Sequence, residues 1–87
     1  MQRPGEDLIR QGLADLSRGE ETAAALLVSI GARRLRSAGL TVPEAHSHPE
    51  HRLYQILAQA HGDDAHSRYN ALIRRLVSFE RALECGS

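Results

Sequence analysis

Five histidines are the first residues whose type and spacing could do chemistry: His46, His48, His51, His61 and His66. The run HSHPEH places three imidazoles within six residues, with Glu50 among them, and HGDDAH adds two more beside Asp63 and Asp64. Neutral imidazole is the commonest metal ligand, and a zinc site needs three or four nitrogen, sulfur or oxygen donors. The spacing argues against one. Two ligands on a helix stand at i, i+4, as in H-E-x-x-H, whereas His46, His48 and His51 step by two and three, and the first two fall in a proline-bordered loop. A solvated polar loop without metal or other cofactor is therefore expected. His46, His48 and His51 are the set that a metal would use, and a pH-sensitive contact is the remaining role, because imidazole titrates near neutrality.

Nucleophilic catalysis has less support. No G-x-S-x-G elbow is present, and Cys85 falls near the end of the sequence, a poor place for preorganised chemistry. No catalytic set assembles on the sequence, so a non-catalytic chain is expected.

The arginines offer binding rather than catalysis. All eleven basic residues are Arg. Arg33, Arg34 and Arg36 resemble a phosphate patch, but they also suit the negative end of a helix dipole. Further on, Ser67, Asn70, Arg74, Ser78 and Arg81 line one polar face of a helix at spacings of 3, 4, 4 and 3. Arg68 is expected to pair with Asp64 at i, i+4, which leaves Asn70, Arg74 and Arg75 without a local explanation. These three are the candidate partner-binding residues. Ala58 and Gly62 match the A-x-x-x-G spacing of a helix-turn-helix, but Asp63 and Asp64 would then face phosphates and repel them.

The elements that must position these residues read as helices. Leu8, Ile9, Leu13 and Leu16 make one face of a first helix over residues 5–18. Gly12 within it costs about 1 kcal/mol relative to Ala, or lets a neighbour approach closely. Residues 22–38, TAAALLVSIGARRLRSA, are apolar nearly all round at their start and should form a central second helix. Its start is set by Thr22, or by the S-x-x-E capping box of Ser17 and Glu20, and Gly39 ends it. Residues 40–49 are a loop. A third helix is expected over 49–59, with Pro49 in its first turn and Ser47 and Glu50 at capping-box spacing. The fourth, starting at Asp63 or Asp64 and running to about Leu83, is the longest. Ala65, Tyr69, Leu72, Leu76, Phe79 and Leu83 step by 4, 3, 4, 3 and 4 along it, a continuous heptad seam, and Ile73 and Val77 widen its face.

Composition sets the frame. The 87 residues hold 20 Leu, Ile, Val and Phe at zero formal net charge, which describes one folding domain and excludes a disordered chain. Balanced charge disfavours a generic nucleic-acid or membrane-surface binder. No apolar run approaches a membrane span, no leader-like h-region opens the sequence, and the single Cys85 forms no internal disulfide. A bacterial cytoplasmic protein is expected. The small core favours a homodimer, with part of the seam on the fourth helix shared between copies. Residues 1–31 carry three Arg and five acids, a net of −2, which offers a weakly acidic counterpart to the arginines.

Together these features predict an all-α, small four-helix up-down bundle in which helix two is central and helix four longest. The function expected is a non-catalytic protein-interaction or regulatory module. Nucleic-acid binding through the arginine face is the alternative, and a metal site in the His-rich loop is the second alternative.

Overall fold

The computed structural model describes residues 3–85. Among them the chain is all-α: α1 (Glu6–Ser17), α2 (Ala23–Ile30), α3 (Ala32–Ser37), α4 (Pro49–His61) and α5 (Ala65–Glu84), with a 3-10 turn, Gly62–Asp64, joining the last two. This is the four-helix bundle expected, its second arm divided into α2 and α3. With 20 residues α5 is the longest helix. At 1.5 Å per residue it spans about 30 Å, most of the 38 Å long axis of the molecule.

The first hairpin is held by backbone chemistry at its turn. Gly19 adopts φ 74° after α1. Its N–H donates to Leu16 O at 3.0 Å, and the N–H of Glu20 donates to Asp15 O at 2.9 Å. These two bonds satisfy the last carbonyls of the helix. Thr22 then caps α2, accepting at Oγ1 from the Ala25 N–H at 3.1 Å. The Ser17–Glu20 capping box does not form: Ser17 is the last residue of α1, and the Glu20 N–H is committed to the turn. Asp15, 4% exposed, ties the hairpin from inside. Its carboxylate accepts from Thr22 Oγ1 at 2.7 Å, from Gln11 Nε2 at 2.8 Å and from Arg18. These donors, Thr22 first, hold its pKa below the ordinary carboxylate value against the opposing effect of burial.

Ala24 to Ser29 are all buried, because α2 packs against α1 on one side and α4 and α5 on others. The single helix expected over residues 22–38 is broken at Gly31. An added Cβ there would lie 2.7 Å from Glu80 Oε2 and 2.8 Å from Leu76 Cδ1, so α5 presses into the gap that glycine leaves. Beyond it α3 is fixed to α5 by Arg34, whose guanidinium binds both oxygens of Glu84 (2.6 and 2.7 Å) and Glu80 Oε1 (3.2 Å).

Residues 40–48 cross the bundle without helix and are strapped down. Val42 is buried. Arg36 donates to the Val42 and Pro43 carbonyls at 3.1 and 2.8 Å, and the His46 N–H donates to Ser29 Oγ at 3.1 Å. The Ser47–Glu50 capping box is absent too. His48, in the left-handed region at φ 50°, precedes Pro49 and makes no side-chain cap. The N-cap position is taken by His48 rather than Ser47, so the Ser47–Glu50 spacing is one residue out of register with the start of α4.

The α5 seam packs on the chain's own core. Ala65, Leu76 and Phe79 are buried, and Tyr69, Leu72 and Leu83 pack half-buried on the core that contains Ile9, Leu26, Leu27, Leu35 and Leu53. Among the described residues no helix is long and apolar enough to cross a membrane.

Candidate partner-binding face on the last helix

The polar face of α5 is exposed as its spacing implies, with Ser67, Asn70, Arg74, Ser78 and Arg81 all open to solvent. The three candidate residues do not share one patch. Five residues apart, Asn70 and Arg75 stand about 140° apart around the helix. Asn70 Nδ2 lies 3.2 Å from His66 Nε2 on the same helix. Arg74 is exposed and forms no ion pair among the described residues. Arg75 turns toward α4.

There it borders a cleft of about 370 Å³ between α4 and α5, lined by Leu57, His61, Arg68, Ala71, Leu72 and Arg75. Arg68 and Arg75 are seven residues apart, two helical turns, so both stand on the same flank. Between them lies an apolar floor of Leu57, which is buried, and Leu72, which is half-buried. The expected Asp64–Arg68 pair is not formed. Asp64 belongs to the 3-10 turn rather than to α5, and i, i+4 neighbours meet only where both residues follow the α-helical repeat. No carboxylate lines this cleft.

Arg68 and Arg75, like Arg33, Arg74 and Arg81, form no ion pair among the described residues. Arg3, Arg10, Arg18, Arg34 and Arg52 each form an ion pair with a carboxylate, and Arg36 is engaged by loop carbonyls. The phosphate-patch reading of Arg33, Arg34 and Arg36 loses two of its members to these contacts. A planar guanidinium binds carboxylate or phosphate oxygens through paired N–H donors. Two of them flanking a greasy floor suit an anionic group attached to an apolar body.

Backbone packing fixes where Arg75 sits. Gly5, at φ 76°, lets the start of α1 close on α5: an added Cβ would lie 2.9 Å from the Arg75 carbonyl oxygen. Elsewhere between α4 and α5, the ring of Tyr69 packs on Tyr54 with centroids 5.8 Å apart. Burial, reinforced by Glu50, pushes the Tyr69 phenol above its ordinary pKa.

The histidines are dispersed. His46 is used by the loop, its ring Nε2 3.1 Å from the Glu20 carbonyl oxygen. His48 and His51 are exposed. Among the described residues no group of three His, Cys, Asp or Glu side chains could hold a metal ion. Cys85 is an exposed free thiol.

Reading by spacing does not join His61 and Arg68 to Arg75, because it gives Arg68 a nominal local partner in Asp64. Their signal was the seven-residue step from Arg68 to Arg75 across Leu72. It also passed over Asp15 and Glu80, charged residues on the apolar sides of their helices. No protein-family model, no curated protein and no solved structure matches the chain, so the reading of this face rests on its own residues.

Proposed function

We propose that the chain is a non-catalytic protein-interaction module that holds an acidic partner segment against α5. Arg68 and Arg75 take its carboxylates, the floor of Leu57 and Leu72 takes an apolar side chain, and Arg74 extends the positive edge. The observation that carries the reading is that Arg68 and Arg75 flank an apolar floor in a cleft that no carboxylate lines. Each charge-assisted hydrogen bond gained there contributes about 1.5–3 kcal/mol before ordering costs. A bacterial cytoplasmic setting and self-association belong to the same proposal, since the net −2 of residues 1–31 makes a second copy one acidic partner.

Selection from displayed peptides tests it. Enriched sequences should carry carboxylates on either side of a large apolar residue, and binding should be lost with Arg68→Ala plus Arg75→Ala. Enrichment without acidic residues, or binding that survives the double change, refutes the proposal. Nucleic-acid binding by the same arginines is the competing reading. Asp63 and Asp64 near the start of α5 oppose it, and it requires affinity that falls steeply with salt through counterion release. Light scattering at two concentrations tests the homodimer.

A further inference from the structure

The other flank of α5 faces α3 across a groove of about 510 Å³, well inside the range of about 300–1,000 Å³ typical of small-molecule sites. Its wall is branched and apolar: Ile30, Ile73, Leu76 and Val77. Ile73 packs half-buried on the core, and Val77 is half-buried against the groove. Into this wall is set a carboxylate. Glu80 is only 4% exposed, an expensive position for a charge unless its oxygens find donors.

One oxygen does. Glu80 Oε1 accepts from Arg34 Nη1 at 3.2 Å. Arg34 directs its Nε and Nη2 to Glu84 at 2.6 and 2.7 Å, so most of its fork is engaged elsewhere. Glu80 Oε2 receives no hydrogen bond among the described residues and lies over Gly31, 2.7 Å from where a Cβ would begin. Two carboxylates and one guanidinium leave this cluster with a net charge of −1. Across the groove Arg33 also lines it, exposed and with no carboxylate partner among the described residues.

The groove therefore holds a carboxylate oxygen lacking a donor, a guanidinium lacking an acceptor, and a branched apolar wall. A simple cation would satisfy Glu80 but meet the like charge of Arg33. A simple anion would satisfy Arg33 but meet Glu80. We infer that this groove binds a small zwitterion with a branched apolar body, the chemistry of an aliphatic α-amino acid. Its ammonium group donates to Glu80 Oε2, its carboxylate accepts from Arg33, and its side chain lies on Ile30, Ile73 and Val77. Gly31 is required because any side chain there would occupy the space beside Oε2.

NMR titration of the full chain with L-leucine tests this, alongside isopentylamine, which lacks the carboxylate, and isocaproate, which lacks the ammonium group. Leucine should shift the Gly31 amide and the Ile73 and Val77 methyl resonances saturably. The two analogues should bind about tenfold more weakly, the loss of one charge-assisted hydrogen bond. Glu80→Gln keeps the shape of the groove while removing a buried charge, so folding is not at risk, and it should weaken leucine by about the same factor. Arg33→Ala, at an exposed position, should abolish the preference for leucine over isopentylamine. Absence of saturable shifts at Gly31, Ile73 and Val77 overturns the inference, as does isocaproate matching leucine or Glu80→Gln binding undiminished.

Discussion

Replacing Gly12 by Ala should destabilise the protein, although alanine is the better helix former. Gly12 sits inside α1 and is buried. An added Cβ would overlap the carbonyl oxygen of Ala24 and lie 2.8 Å from its carbon and 2.5 Å from Val28 Cγ2. Carbon atoms in comfortable contact stand about 3.5–4.0 Å apart, so α1 must retreat from α2 by about 1 Å or distort. Overpacking of this kind costs about 1–3 kcal/mol. The upper end applies, because the obstruction is the backbone of Ala24, which has no rotamer to change. Against this stands a propensity gain of about 1 kcal/mol for Gly→Ala within a helix. The net loss is about 2 kcal/mol. At about 4–8 °C per kcal/mol for a domain of this size, Tm should fall by about 8–16 °C. Thermal melts followed by far-ultraviolet circular dichroism measure it. Gly31→Ala makes the comparison, since its Cβ would meet the ends of the Glu80 and Leu76 side chains, which can move; its loss should be smaller. A Gly12→Ala melt at or above wild type refutes the close approach of the two helices.

Thr22→Ala removes the cap of α2 and should cost about 1 kcal/mol; it also takes from Asp15 its strongest donor, so the acid limb of the stability curve should shift toward higher pH in the same melts. The ionised forms of Asp15 and Glu84 are favoured by folding, with their pKa values lowered, for Glu84 chiefly by its hydrogen bonds from Arg34; their stabilisation is present above the ordinary carboxylate pKa and lost as pH falls through the folded value. Glu80 runs the other way. Burial raises its pKa above 4.5 more than Arg34 lowers it, so folding is favoured by its protonated form and loses stability as pH rises through the folded pKa. Glu80→Gln should therefore match wild type at low pH and exceed it at neutral pH in denaturant titrations, and a variant less stable at neutrality contradicts this assignment. Leu53→Ala, at a fully buried position of α4, should cost about 2–5 kcal/mol and leave little folded protein at physiological temperature.

The arms of the bundle were legible because each announces itself locally. The seam on α5 is a period read directly from spacing, and Gly19, Gly39 and Gly62 mark stops that the backbone takes at positive φ. What escaped was decided by distant partners. The break at Gly31 lies within an otherwise continuous helical pattern and is filled by Leu76 and Glu80, more than forty residues on. Arg34 looked like a dipole cap, yet its carboxylates stand 46 and 50 residues away. Both capping boxes match in spacing and fail in structure, because the Glu20 N–H is taken by the α1 turn and α4 starts after His48, one residue later than Ser47 requires. In the candidate cleft, Arg68 has by spacing a partner, Asp64, that the 3-10 turn withholds.

The strapped crossing of residues 40–48 has a consequence for how the chain finds this arrangement. Each hairpin closes through a link of a few residues, α1 onto α2 and α4 onto α5, so most of the search is short-range and cheap in loop entropy. The contacts that join the two helical halves, α2 on α4 and α5, are the longer-range ones, and the crossing is held by the local Arg36 bonds and by the Ser29 contact to His46. The crossing is thus a seam between two pieces of complementary shape. A chain divided there would present two fragments whose apolar faces fit each other, so the bundle could be assembled, or held apart, by bringing its halves together.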